Sequence, residues 1–139
     1  MNFTLEQGHG TQKLIAKENV VVVLPISDIK RDKQGWDARF QSQVVLTDGS
    51  GGLDVRTPVE LARVFKSAGI ELAYIPETNE LVNRGAIKSI RTFKGKDDAP
   101  VQYFHSVAQT VAGREHWLAA TPAQIADARV GVIPAPAPK

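Results

Sequence analysis

The feature that most restricts the fold of this chain is a repeat. Residues 40–62, moved 64 positions along, fall without a gap on residues 104–126. Phe40 meets Phe104, Ser42 meets Ser106, Gly49 meets Gly113, Thr57 meets Thr121, Pro58 meets Pro122 and Ala62 meets Ala126. Leu53 also falls on the aromatic Trp117, and Leu61 on Ile125. Each copy reads as strand, glycine turn, strand and helix start. Thr57 and Thr121 are capping residues with a proline in the first helical turn, and Glu60 and Gln124 stand where they close a capping box. Turn, cap and helix at one shared spacing argue for a duplicated hairpin-plus-helix unit.

The rest of the chain is written mostly in strand language. Gln12–Lys17 and Val20–Ile26 read as strands joined by a turn at Glu18 and Asn19, the second β-branched enough to suggest burial on both faces or a place at a sheet centre. Residues 28–39 are polar and read as a loop or distorted strand. Phe40–Thr47 and Leu53–Arg56 make the first hairpin, and Leu61, Val64 and Phe65 stripe the helix that Gly69 stops. Glu71–Ile75 reads as a strand, as does the stretch from Leu81 to Arg91. The expectation is a mainly β protein with two short helices and elongated antiparallel sheets. At 139 residues the length suits one domain. It is placed at 11–130, after a flexible leader at 1–10 and before a Pro/Ala-rich disordered tail at 131–139.

Little in the sequence suggests catalysis. There is no cysteine, hence no disulfide, thiolate metal site or cysteine nucleophile. His9, His105 and His116 stand outside any metal-ligand spacing, although His105 and His116 fall on paired strands. The glycines at 49–52 lack the strand-to-helix context and following lysine of a phosphate loop. The expectation is a non-enzyme with no metal or cofactor. The N-terminus lacks a signal-peptide pattern, and the longest apolar run is far short of the roughly 20 residues that span a bilayer. A cytoplasmic protein with no membrane partner is expected.

What remains is charge. The formal net charge is +2 and the pI near 9.0. From Leu81 to Lys96 there is no acidic residue, while Arg84, Lys88, Arg91, Lys94 and Lys96 supply five cations. Basic clusters of this kind are the electrostatic footprint of nucleic-acid binding.

Three ordered segments resemble the LytTR-type DNA-binding domain, an all-β module of many bacterial response regulators. The segment from Val20 to Ile29 is similar to that family's strand ending in Ile-Pro-Leu-x-Asp-Ile. Val44 to Leu61 is similar to its Thr-x-Asp-Gly … x-Val-Arg-x-x-Leu-x-x-Leu. Leu81-Val82-Asn83 with Ile87 and Ile90 is similar to its Leu-Val-Asn-x-x-x-Ile-x-x-Ile. The resemblance spans about residues 12–128. It implies antiparallel sheets with a short helix, and edge loops that enter successive major grooves of duplex DNA. It also implies a bacterial transcriptional regulator that stands alone or takes its signal from a sensor in another chain. The DNA-contacting set is then Lys30, Arg31, Lys33, Arg39, Arg84, Lys88, Arg91 and Lys94. Two expected contact loops depart from the family: Glu77 and Thr78 replace a His-Arg pair, and Ala119 to Thr121 replace a Ser-Arg-Arg run. The rival expectation is therefore a LytTR-like protein-interaction module that no longer binds DNA. Trp36 and Tyr74 would be its exposed anchors, with Trp117 packed in the core.

Overall fold

The computed structural model describes residues 2–8, 10–93 and 104–130, the side chains of Asn2, Ile29 and Lys30 apart. Among these residues the protein is mainly β. The strands are β1 (Asn2–Glu6), β2 (Gln12–Ala16), β3 (Val20–Pro25), β4 (Ser42–Leu46), β5 (Gly51–Asp54), β6 (Ala73–Ile75), β7 (Glu80–Val82), β8 (Ile87–Thr92), β9 (Ser106–Thr110) and β10 (Glu115–Leu118). They form three antiparallel sheets: β1-β2, β5-β4-β3-β7-β6 and β8-β9-β10. Three short α-helices, α1 (Asp28–Gln34), α2 (Pro58–Ser67) and α3 (Pro122–Asp127), and two single-turn 3-10 helices, Lys17–Asn19 and Arg84–Ala86, complete the order.

The repeat is present in the fold. The 64-residue shift carries β4 onto β9 and β5 onto β10 end for end, and carries the start of α2 onto that of α3. Both helices begin in a complete capping box, closed by Thr57 with Glu60 and by Thr121 with Gln124. Capping of this kind contributes about 1 kcal/mol per helix. Even single hydrogen bonds recur: Ser42 Oγ donates to the Arg56 carbonyl at 2.7 Å, and Ser106 Oγ to that of Ala120 at 2.6 Å.

The duplication reaches further back than residue 40. A shift of 67 carries the first 3-10 helix onto the second and β3 onto the start of β8, and both strands shift register at the same point against their partners. Val20 and Val22 face Leu46 and Val45; Ile87 and Ser89 face Thr110 and Gln109. The β1-β2 hairpin likewise matches β6-β7: Phe3 pairs Ile15 as Ala73 pairs Val82, and Thr4 pairs Leu14 as Tyr74 pairs Leu81. The protein is two copies of one unit: hairpin, 3-10 turn, bulged strand, hairpin, capped helix.

The copies join because β7, from the second, pairs with β3, from the first, in the central sheet. Leu81 is therefore fully buried, while its counterpart Leu14 is 64% exposed. Enclosing a leucine in this way contributes about 1.5–3 kcal/mol. The β-branched run Val20–Val23 is fully buried because the two faces of β3 serve two cores. Val20 and Val23 join Phe3, Leu5, Ile15, Val44, Leu61, Phe65, Tyr74 and Leu81. Val21 and Val22 join Val45, Ile75, Val82, Ala108, Leu118 and Ile125 on the other side.

Three expectations are corrected. Residues 2–6 are not a mobile leader but β1: Phe3 and Leu5, two apart, point the same way into the first core, and Phe3 stacks on Phe65 with ring centroids 4.1 Å apart. Residues 28–34 are helical, giving three α-helices rather than two. The Arg31 amide donates to the Ser27 carbonyl at 3.0 Å, Arg31 pairs with Asp28 one turn back, and Gly35 turns the chain at φ 71°. The stretch from Leu81 to Arg91 is two strands in different sheets, parted by a 3-10 turn that the Asn83 side chain caps. The predicted tail at 131–139 lies outside the described residues.

Candidate nucleic-acid interface

Of the basic residues at 30–39, Lys30, Arg31 and Lys33 lie on α1 and Arg39 follows it, in the connection from β3 to β4. Arg31 fixes this helix to the sheet. Its guanidinium donates to the carbonyls of Phe40 at 2.7 Å and Ile26 at 3.3 Å, and pairs with Asp28. Lys33, two residues on, is exposed, and Lys30 lies on the same helix one turn before it. Arg39 is half-buried. Its Nε donates to the Gln7 carbonyl at 3.1 Å, and its guanidinium lies 3.4 Å from Asp37 and 5.1 Å from the centre of the Phe40 ring. Thus Arg31 and Arg39 build the platform, and the exposed Lys33 stands on it.

The basic group from Arg84 onward is divided. Arg84 opens the 3-10 turn and donates to the carbonyls of Ile125, Ala126 and Ala128 at 2.9, 3.3 and 2.5 Å, closing the C-terminal end of α3. Lys17, its counterpart in the first copy, donates to the Ala68 carbonyl at the end of α2. A cation at a helix C-terminus is favoured by the unpaired carbonyls and the macrodipole. Arg84 therefore has a duplicated structural task. Lys88 and Arg91 are exposed on β8, where Arg91 is paired with Glu115 at 2.6 Å. Lys94, with Lys96, lies outside the described residues.

Arg56 is structural. Its guanidinium binds the fully buried Asp54 carboxylate through Nε at 3.0 Å and Nη2 at 2.9 Å, and this carboxylate raises the arginine's pKa further. The loop where the family resemblance predicted a His-Arg pair is the tight β6-β7 turn, with Glu77 exposed and Asn79 at φ 58°.

The aromatic expectations change places. Tyr74 is 8% exposed, its hydroxyl donates to Asn79 Oδ1 at 2.8 Å, and burial raises its pKa. Trp117, expected in the core, is 42% exposed. Strand alternation explains this: Leu118 points into the second core, so its neighbour points out. Trp36 is half-exposed and lines a cavity of about 240 Å³ with Gln43, Val45 and the hairpin at 49–53.

The histidines do not meet. His105 bonds the Ala119 carbonyl at 2.7 Å, whereas His116 stands opposite Ala108 and its Nε2 is buried without a hydrogen-bond partner among the described residues. Burial lowers the His116 pKa. No cluster of three or more histidine or acidic side chains suited to a metal occurs among the described residues. No helix among them is long and apolar enough to cross a membrane. No family model, curated protein or solved structure matches the chain.

Proposed function

We propose that this protein is a DNA-binding regulator of the LytTR type that presents α1 to duplex DNA. The observation that carries the reading is how α1 is held. A seven-residue helix bearing Lys30 and Lys33 is fixed to the central sheet by Arg31 and followed by the platform residue Arg39. A short helix on a rigid scaffold is the kind of element that fits a major groove, with lysines reaching phosphates or guanine edges. The ordered motifs at 20–29, 44–61 and 81–90 favour the same reading. Lys88 is a secondary contact in it, and Arg91 is paired with Glu115. Arg31, Arg39 and Arg84 act on the fold.

The test is a titration of the protein with duplex DNA at low and moderate salt, read by amide chemical shifts. Shifts should centre on residues 28–39, with the logarithm of affinity falling linearly against that of salt. Lys33→Glu should weaken binding without lowering the melting temperature, and the Lys30→Glu/Lys33→Glu pair should abolish it. Unmoved α1 amides at low salt would remove this reading.

A further inference from the structure

The duplication supplies a map of which faces of one unit another unit covers. In the first copy, Leu24, Val22 and Val45 lie on one face of β3-β4, and the second copy's core packs on them. The corresponding face of the second copy is the outer side of β8-β9-β10, with Ser89, Gln109 and Glu115 in one cross-strand row and Arg91, Val107 and Trp117 in the next. Val107 is 2% exposed yet belongs to neither core, and Trp117 beside it is 42% exposed. Phe104, just before β9, is 40% exposed, and Val111 at the hairpin tip is 62% exposed.

This face cannot receive another unit as β3-β4 does. Val21, Val22 and Val45 are replaced at the corresponding positions by Lys88, Ser89 and Gln109. An open head-to-tail array therefore ends at two copies, as polar outer faces end repeat proteins. The apolar anchor has instead moved one row across, to Val107 and Trp117. Its flanking charges are of both signs, Arg91 and Glu115, with side chains 60% and 44% exposed. A face carrying a tryptophan and one cation beside one anion is complementary to itself.

We infer that the outer face of β8-β9-β10, centred on Trp117 and flanked by Arg91 and Glu115, is a twofold docking surface for a second copy of this chain. Trp117 packs against its counterpart near the axis, and the exposed in-chain Arg91–Glu115 bridge of each copy meets that of the other antiparallel, which sets Arg91 of each copy beside Glu115 of the other. Such a contact closes on itself and gives a dimer rather than a fibre. It stands independently of DNA binding, and its test contains no DNA.

Sedimentation of the full chain from low micromolar to millimolar concentration should show monomer passing to dimer. Trp117→Asp, with an unchanged circular dichroism spectrum, should weaken association by about thirtyfold or more, as loss of a central tryptophan does. Arg91→Glu and Glu115→Arg should each associate poorly alone and form a mixed dimer when combined, because only a contact between chains restores opposite charges. A wild type monomeric throughout, dimers that survive Trp117→Asp, or no mixed dimer from the charge variants would overturn the inference. So would quenching of Trp117 fluorescence by a single-stranded oligonucleotide while the protein stays monomeric, since that would assign the face to base stacking.

Discussion

Asp54 is the position where the two copies differ most instructively. Its carboxylate has 0% exposure and is filled on both oxygens: Oδ1 accepts from the Arg56 amide at 2.8 Å and Nε at 3.0 Å, and Oδ2 from the Glu6 amide and Arg56 Nη2, both at 2.9 Å. Asp54→Asn keeps the shape but must turn an NH2 toward one of these donor pairs. Losing a charge-assisted bond costs about 1.5–3 kcal/mol, and stranding a buried amide N–H costs about 1–3 kcal/mol more. The sum, about 2.5–6 kcal/mol, brackets the usual cost of breaking a buried ion pair, about 3–5 kcal/mol. For a chain of this size that is a fall of roughly 12–20 °C in melting temperature. The second copy has Leu118 and Ala120 in place of Asp54 and Arg56, and Leu118 is fully buried. The double variant Asp54→Leu/Arg56→Ala, which removes the pair together, should therefore be less destabilised than Asp54→Asn, despite the bonds it loses to Glu6 and Thr4. Urea unfolding of the wild type, Asp54→Asn, Arg56→Ala and the double variant decides this. A double variant that loses as much stability as the two single variants added together, within about 0.5 kcal/mol, would refute the reasoning.

Glu80 makes the corresponding tie in the second copy without a cation, accepting the Ala119 and Ala120 amides at 2.9 Å each. Glu80→Gln strands one of these amides and should cost about 1–3 kcal/mol, with faster hydrogen exchange at Ala119 or Ala120. His116 gives a pH dependence. Its folded pKa lies below the unfolded value of about 6.5, so its stabilisation is complete above that value and is lost as pH falls toward the folded pKa. The nearby Arg114 also opposes its protonation, while a hydrogen bond to the Leu46 backbone favours it without outweighing burial. Stability measured by urea melts should fall from pH about 7 to about 5, and His116→Leu should flatten that fall. An unchanged slope in His116→Leu would place the titration elsewhere.

The sequence carried the hairpins and capped helices clearly, because each is specified locally. Thr57 and Thr121 cap through a side chain three residues from its partner, and Gly49 and Gly113 set the turns at positive φ. It did not carry the rest of the duplication. The run at Val20–Val23 has Ile87, Lys88, Ser89 and Ile90 opposite it in the second copy, so a strand buried on both faces matches one that is largely exposed. The connections after them also differ in length, which breaks the register at 64 residues. Trp117 was misread for a related reason. Its position in the repeat marks a strand, but the face it occupies depends on whether another copy covers that face, and that is a tertiary fact.

The same duplication separates cations that build the fold from those left over. A positive charge performing one task at matched positions in both copies is explained by the unit, and Lys17 with Arg84 is the clear case, each closing the helix of its own copy. Counting Arg84 among DNA contacts was reasonable from charge alone, since a basic run does not reveal which member meets a row of carbonyls. Features found in one copy without such a match are where a function beyond the unit must be sought. α1 carries its lysines after β3 at positions whose match in the second copy lies outside the described residues, and the Trp117 face has Val107 and Trp117 where the first copy has Gln43 and Leu53. They lie in different copies and sheets. The two proposals together amount to a division of labour, α1 for a nucleic acid and the β8-β9-β10 face for a second chain, so that pairing would place two α1 helices on one assembly.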